Sequence, residues 1–281
     1  MLFSSSGASR AIIGFPGTGI SFAAWRVFIG ALGLLLYVAS RHGTAGIGKL
    51  MRQPLMWAMG LATLLYQAAF FTGVETVGIA AGTLIALGLA PLLAGLIAWA
   101  MGLGRPAWQW AACTGTAICG LALLTGTAGH ADAAGLSLLA LAAACYSFFT
   151  VVGVKMVREL AVSGAEVVAA SFGIGAVIAL PILATTSAWI NGPGPILAIL
   201  YAGLGATTVA YLLFANGISH LAAGTVSTLT LFEPVAATVV GVYLLGETMD
   251  ARGWLGCLVI IAALGLLGYV ESRSKAGHGS G

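Results

Sequence analysis

Residues 167–232, VVAASFGIGAVIALPILATTSAWINGPGPILAILYAGLGATTVAYLLFANGISHLAAGTVSTLTLF, contain no Asp, Glu, Lys or Arg in 66 positions. An α-helix that crosses a bilayer needs about 20 apolar residues, so this stretch holds two such helices and part of a third. The breakers Asn191-Gly192-Pro193-Gly194-Pro195 and Asn216-Gly217 divide it into those helices. The stretch therefore predicts a membrane-spanning helical protein.

The composition of the whole chain supports the same interpretation. Of its 281 residues, 60% are hydrophobic and 7% are charged, and the mean hydropathy is +1.05. Soluble domains carry about 25% charged residues, which excludes a soluble globule of this size. The net charge of +3 is small and scattered, so no nucleic-acid partner is expected. The chain is therefore expected to lie in a lipid bilayer.

Charged residues delimit the remaining spans. The predicted helices cover residues 23–41, 54–73, 77–101, 107–125, 135–157, 166–188, 195–215, 222–246 and 253–270, preceded by a short apolar fragment near 2–13. A spanning β-barrel would instead show segments of about ten residues with alternating polarity, which the sequence lacks. The predicted fold class is an all-α polytopic membrane protein.

Basic residues predict the orientation. One side of the predicted bundle receives eight Lys and Arg residues, namely Arg41, Lys49, Arg52, Arg105, Lys155, Arg158, Arg273 and Lys275. The other side receives Arg10, Arg26 and Arg252. Because short cytoplasmic loops carry the excess of Lys and Arg, this bias places the C-terminus in the cytoplasm.

A repeated motif indicates that the chain contains two related halves. Ala80-Ala81-Gly82-Thr83 recurs 142 residues later as Ala222-Ala223-Gly224-Thr225. A proline and then a tryptophan follow each copy: Pro91 and Trp108 in the first half, Pro234 and Trp254 in the second. An odd number of helices per half gives the halves opposite orientations, which is the inverted-repeat arrangement of many secondary transporters.

The repeat predicts the domain boundaries. Residues 1–130 form the first repeat, residues 131–272 form the second, and residues 273–281 form a disordered cytoplasmic tail. Five helices are predicted from residue 135 onward, so the first half needs one more helix before residue 23. We therefore expect the fragment near 2–13 to be the end of a first helix that lacks about ten residues, with Met1 not the true start.

Three motifs resemble one transporter family. Ser4-Ser5-Ser6-Gly7-Ala8 is similar to the end of a first helix with a W-G-S-s motif, and Trp25-Arg26 opens the next helix. The most specific part is Leu231-Phe232-Glu233-Pro234, followed by Leu244-Leu245-Gly246-Glu247. These residues resemble the EamA-type transporters of the drug/metabolite transporter superfamily.

The resemblance implies ten helices in two inverted EamA halves. It also implies export of amino acids, other metabolites or drugs across a bacterial plasma membrane. The sequence departs from the family pattern in its incomplete first helix. It also has Met101-Gly102-Leu103-Gly104 where many members carry L-G-E.

Glu233 is the charged residue that the spans place near the bilayer midplane, and we expect it to be essentially the only one at depth. A carboxylate there costs on the order of 2.5–3.5 kcal/mol unless it is neutralised or hydrated. Either it faces a central cavity, coupling protons to export or contacting a cationic solute, or it is a protonated structural group. Ser227 and Thr230 lie on the same side of the predicted helix and extend a polar strip.

Two prolines are predicted to break helices at corresponding positions. Pro234 removes the N–H that would pair with the Thr230 carbonyl, and Pro91 does the same to the Leu87 carbonyl. Paired breaks of this kind mark transporter binding sites, although each could equally be a packing kink.

Other polar residues in or near the spans are candidates for lining a cavity. Arg26 lies at the outer entrance of its predicted helix, where it either extends to the lipid headgroups or acts in gating or in attracting an anionic solute. The remaining candidates are Tyr66, Gln67, Tyr146, Tyr211 and Asn216. Each of these is individually more often a packing residue.

The sequence gives no sign of a catalytic, metal or nucleotide site. The four cysteines lie in apolar runs without ligand spacing, and the four histidines lie in predicted loops or the tail. Gly43-Thr44-Ala45-Gly46-Ile47-Gly48-Lys49-Leu50 nearly matches a phosphate-binding loop, but Leu50 replaces the hydroxyl that holds Mg²⁺. We expect no cofactor and no enzymatic activity.

The sequence thus predicts a secondary transporter of the bacterial plasma membrane that exports small-molecule solutes by alternating access. Proton coupling is a subordinate hypothesis. A passive channel or a non-transporting membrane protein is the alternative, and an intramembrane enzyme is disfavoured. Substrate identity stays open, and so does the choice between a monomer and a homodimer.

Overall fold

The computed structural model describes residues 19–41, 43–77, 79–104, 106–125, 132–185, 193–245 and 250–278. Within these ranges the regular structure is helical. The predicted fragment near 2–13, together with Arg10, Arg105, Gly246 and Glu247, lies outside the described residues. The expectation about the chain start therefore falls outside them too.

The helices follow one another with short connections. In chain order they are α1 (Gly19–Arg41), α2 (Ala45–Met51), α3 (Pro54–Val77), α4 (Ile79–Ala100), α5 (Trp108–Thr125), α6 (Ala133–Leu160), α7 (Gly164–Thr185), α8 (Pro193–Leu200), a π-helical segment (Tyr201–Val209), α9 (Ala210–His220), α10 (Ala223–Leu229), α11 (Phe232–Leu245) and α12 (Ala251–His278).

The predicted all-α polytopic fold class is confirmed. In the described part of the chain, six continuous helical runs are long and apolar enough to cross a membrane: Gly19–Arg41, Pro54–Val77, Ala133–Leu160, Gly164–Thr185, Pro193–His220 and Ala251–Val270. Shorter apolar helices, Ile85–Ala100 and Trp108–Leu124, lie among them. The predicted spans agree with these bounds to within a few residues at most ends.

Helix α12 is described as far as His278, and it includes residues 273–278 of the segment that was predicted to be a disordered tail. Arg273, Lys275 and Ala276 are strong helix formers, and no proline interrupts them. The polar residues therefore continue the apolar helix instead of ending it.

The two prolines behave differently. Helix α4 runs through Pro91 without interruption, so the prediction of a break there is wrong. Membrane helices tolerate proline when neighbouring groups satisfy the freed carbonyls. The Ser147 hydroxyl from α6 donates to the Ala90 carbonyl at 2.7 Å, next to Pro91, whereas the carbonyl that Pro91 deprives of its helical donor is that of Leu87.

The chain leaves the α-helical path just before Pro234, within the predicted span 222–246 and next to the predicted helix break. Helix α10 ends at Leu229 and α11 begins at Phe232. The Glu233 N–H donates to the Thr230 carbonyl at 2.9 Å, in place of the helical donor that Pro234 was predicted to remove. A tighter i→i−3 bond replaces the i→i−4 bond that Pro234 cannot make.

The contacts between helices are those expected if a two-fold axis relates the two halves of the chain. A shift of about 142 residues maps α1 onto α7 and α5 onto α12, and the helices within each pair pack directly on each other. The contact between α3 and α7 has its counterpart in the contact of α1 with the π-helical segment. Such reciprocal contacts agree with the predicted inverted repeats.

Glycines set the closest helix contacts. In the α5–α12 pair, a Cβ on Gly120 would lie 2.9 Å from the Gly256 carbonyl oxygen, and one on Gly256 would lie 2.6 Å from the Gly120 carbonyl oxygen. The two backbones therefore touch directly, as small residues allow between helices in lipid.

A capping box begins α7. The Ser163 N–H donates to Glu166 Oε2 at 2.8 Å, and the Glu166 N–H donates to Ser163 Oγ at 3.2 Å. A Cβ on Gly46 would overlap the Glu166 carboxylate, so α2 packs directly on this cap. The S-x-x-E spacing is present in the sequence, but the predicted span began later, at residue 166.

We expect Gly120→Ala and Gly115→Ala to have opposite effects on stability. Alanine favours a helix by about 1 kcal/mol over glycine, and the Gly115 position is open. At Gly120 the added methyl collides with backbone, an overpacking that costs about 1–3 kcal/mol. Thermal unfolding of the detergent-purified variants tests this, and a Gly120→Ala midpoint at or above that of Gly115→Ala would contradict it.

Candidate functional site

Arg26 is completely buried between helices. Helix α1 begins at Gly19, so Arg26 lies about 10 Å along the helix, two turns inside it. The interpretation that this side chain extends to the lipid headgroups is therefore wrong. Glu233 is also not the only charged group at depth, because Arg26 lies inside the bundle as well.

Hydrogen bonds hold the Arg26 guanidinium to two other elements. Its Nε donates to Thr207 Oγ1 at 2.8 Å, and its Nη1 donates to Gln67 Oε1 at 2.9 Å. The Phe71 ring lies 5.7 Å from the guanidinium carbon, a distance at which the ring face attracts a cation. Arg26 thus ties α1 to α3 and to the π-helical segment.

The π-helical segment positions Thr207, a residue that the sequence interpretation missed. The Thr207 hydroxyl donates to the Ala202 carbonyl five residues earlier at 2.8 Å and accepts from Arg26. π-helical turns occur frequently at functional sites. The available signal was the adjacent pair Thr207-Thr208 within the long uncharged stretch.

Three predicted tyrosines lie in one connected group of buried aromatic rings. The Tyr66 and Tyr146 ring centroids are 5.4 Å apart. The Tyr146 ring lies 6.2 Å from Phe214, which in turn lies 5.8 Å from Tyr211. The rings come from α3, α6 and α9, so the aromatic group joins both halves of the chain.

Glu233 and Thr230 lie beside this aromatic group, at the junction between α10 and α11. Glu233 is half-buried and close enough to Arg26 for their charges to interact. The Thr230 side chain lies near Tyr146, and its hydroxyl donates to the Ser227 carbonyl at 2.6 Å. The junction therefore places polar groups next to the rings.

Of the predicted site residues, two have a buried polar atom that lacks a partner among the residues that the structure describes. The atoms are Gln67 Nε2, whose side chain otherwise accepts from Arg26, and Ser227 Oγ. A buried polar group without a partner costs about 1–3 kcal/mol, so these atoms are available to a bound molecule. We refer to Arg26, Gln67, Tyr66, Tyr146, Tyr211, Thr207, Ser227, Thr230 and Glu233 as the central cluster.

Asn216 does not join the central cluster. Its side chain is exposed, and it lies five residues beyond Tyr211, about 140° around the helix. Its backbone carbonyl contacts His220 Nδ1 at 2.8 Å. Neither proline contributes a polar side-chain atom, and Pro91 does not interrupt its helix. The candidates that the structure brings together are therefore the charged, tyrosine, glutamine and hydroxyl residues.

A separate cavity of about 660 Å³ opens at the end of the bundle that holds Lys155 and Arg158. Its walls come from α4, α5, α6, α10 and α12, with residues of the loop between α4 and α5. The second copy of the repeated motif, Ala222-Ala223-Gly224-Thr225, lines this cavity and not the central cluster. We refer to it as the lateral cavity.

Comparisons with known proteins identify relatives of the chain. The EamA-like transporter family matches residues 133–269. An uncharacterized transporter of Bacillus subtilis (strain 168), YwfM, is 34% identical over 275 residues, which cover 96% of this chain and 91% of that protein. An uncharacterized transporter of Clostridium kluyveri is 29% identical over 157 residues, covering 55% of this chain and 49% of that protein.

A solved crystal structure has the same fold. It covers 97% of this chain with a TM-score of 0.77, and the match spans 94% of that structure. The sequence identity is 18%, so the likeness concerns the fold alone.

We expect Thr207→Val to destabilise the protein more than Thr208→Val. Valine at 207 removes the acceptor of Arg26 Nε and leaves a buried cationic donor unsatisfied, at a cost of about 1–3 kcal/mol. The Thr208 hydroxyl donates only to the Gly203 and Gly30 carbonyls, so its loss leaves no charged group unpaired. Equal unfolding temperatures for the two purified variants would contradict this role of Thr207.

Proposed function

Because the chain belongs to the EamA-like transporter family, we propose that it is a secondary transporter that exports small metabolites and binds its solute at the central cluster. Family membership supports a membrane transporter of small molecules. The export direction, the solute and the coupling are parts of the proposal.

The main support for the proposal is that charged and polar side chains are buried inside the bundle. A charged side chain in a membrane interior is costly, and such residues mark substrate and ion pathways. Arg26 lies there completely buried and hydrogen-bonded to Gln67. Gln67 Nε2 and Ser227 Oγ lack partners in the described part of the chain. A solute with polar groups would satisfy those atoms.

The chemistry of the central cluster favours a solute with a charged group and an apolar or aromatic body. Arg26 suits a carboxylate, Glu233 suits an ammonium group, and the three tyrosines offer ring faces. Amino acids, amines and many drugs have this character. Among these solutes, an amino acid carries both a carboxylate and an ammonium group, so it would engage Arg26 and Glu233 at the same time.

The proposed mechanism is alternating access between two inverted halves, residues 1–130 and 131–272. The Arg26–Thr207 hydrogen bond joins a residue of the first half to one of the second. In a carrier of this kind one half rocks against the other around a fixed site. A contact that crosses between the halves at the site is then remade in each cycle, which couples solute binding to the movement.

The proposed location is the bacterial plasma membrane, with the C-terminus in the cytoplasm. The excess of Lys and Arg on one side of the bundle supports this orientation. The proposed partners are the solute and the lipid bilayer, and also protons if transport is coupled to a proton gradient. A monomer and a homodimer both remain compatible with the proposal.

A passive channel is the alternative in the same membrane. A carrier binds solute and changes conformation, so its transport rate saturates and unlabelled solute on one side drives the uptake of labelled solute from the other. A channel shows neither behaviour. Counterflow in proteoliposomes separates the two.

The first test compares metabolites in the medium of cells that express the full-length gene with those of cells lacking it. We expect at least one amino acid, amine or drug-like metabolite to accumulate outside the expressing cells. Cells that express Arg26→Gln serve as the matched control and should lose the effect. Identical media in all three cases would contradict export.

The second test concerns proton coupling through Glu233. We expect Glu233→Gln to retain counterflow of the exported solute but to lose transport driven by a pH gradient, because the amide cannot bind and release a proton. Glu159→Gln, which alters an exposed carboxylate paired with Lys155, is the control and should keep both activities. Unchanged gradient-driven transport in Glu233→Gln would refute the coupling.

A further inference from the structure

We propose that the lateral cavity binds the headgroup of an acidic phospholipid from the cytoplasmic leaflet. The cavity has a volume of about 660 Å³, within the range of ligand-binding sites. This site is distinct from the central cluster and does not depend on which solute the protein carries.

None of the residues that line the lateral cavity belongs to the central cluster. A hydrogen bond of 3.0 Å between Thr114 and Thr228 links α5 to α10. Leu87, Leu121 and Leu231 belong to one buried apolar group. Helices α5 and α12, which form two walls of the cavity, supply no residue of the central cluster. The cavity is therefore a second site.

A tryptophan ring forms part of the cavity wall. Trp110 packs against Gly95 of α4 and Gly224 of α10, where a Cβ on Gly224 would lie 2.9 Å from the indole Nε1. Any side chain at either glycine would displace the ring. The glycines thus allow a flat aromatic surface between two helices, which suits the apolar part of a lipid.

The charge at the cavity favours an anion. Arg158 lines it and is exposed, and the structure records no ion pair or hydrogen bond for its side chain among the described residues. Lys155, one turn away on the same helix, is neutralised by Glu159 at 2.6 Å. The described lining residues include no Asp or Glu, and Gln109 adds a neutral hydrogen-bond donor. An acidic group therefore finds a cation with no competing acid in the wall.

The surroundings of the cavity favour a lipid over a free anion. Tyr269, at its edge, is 54% exposed, and its neighbour Leu266 is 55% exposed. Trp99, next to the lining residue Ala98, is 50% exposed. Exposed aromatic and aliphatic side chains at a helix end lie at the headgroup level of a bilayer. Basic pockets between membrane helices on the cytoplasmic side bind acidic headgroups in this way.

Native mass spectrometry of the full chain, purified in detergent and titrated with lipid, tests the proposal. We expect one saturable adduct with phosphatidylglycerol and a clearly weaker one with phosphatidylcholine. Arg158→Gln should weaken phosphatidylglycerol binding roughly fivefold, because a basic side chain near the headgroup contributes about that factor. Gln109→Leu should weaken it by a smaller amount, roughly threefold, through the loss of a neutral hydrogen bond.

Lys155→Gln is the matched control, since it removes one positive charge from the same helix end but does not alter the cavity wall. It should bind phosphatidylglycerol within about twofold of the unaltered protein, as expected for an exposed ion pair. A loss equal to that of Arg158→Gln would show diffuse charge attraction and overturn the site. Equal binding of phosphatidylcholine, or full competition by glycerol phosphate without acyl chains, would overturn the assignment to an acidic lipid.

Discussion

A positive charge enclosed between membrane-spanning helices is the constraint on which the interior of this protein depends. Arg26 has no access to solvent, and a basic side chain at the centre of a membrane helix costs on the order of 2.5–3.5 kcal/mol before it finds partners. Thr207, Gln67 and the Phe71 ring provide those partners from two other helical elements. The positions of α1, α3 and the π-helical segment are therefore linked through one side chain.

Much of the fold could be predicted from the sequence, because in lipid each backbone polar group must be paired within a helix and charged residues collect at the helix ends. The spans and the fold class follow from those two facts. The burial of Arg26 did not follow, since its predicted helix began at residue 23 and the described helix begins four residues earlier, at Gly19. Thr207 resembled the other hydroxyl residues of an apolar run, and only its contact with Arg26 distinguishes it.

The two prolines occupy corresponding positions in the repeated sequence, but the backbone differs around them. Each follows a copy of the repeated motif, yet α4 continues through Pro91 while the chain turns before Pro234. At Pro91 the helix continues although the Leu87 carbonyl loses its helical donor, whereas at Pro234 a tight backbone turn satisfies the carbonyl four residues earlier. The position of a proline in the repeated sequence therefore does not decide whether the helix ends there. The second half consequently presents Glu233 at a helix start.

The π-helical segment determines the rotational register of α9, the helix that follows it. The backbone of Tyr201–Val209 is π-helical, so the segment holds more residues per turn than an α-helix. The hydroxyls of Thr207 and Thr208 also donate to carbonyls five residues earlier. Returning one such turn to α-helical spacing would rotate the later residues by about 100°. Tyr211 and Phe214 would then leave their aromatic neighbours. The bond between Arg26 and Thr207 thus fixes the rotational setting of α9 as well as a local contact.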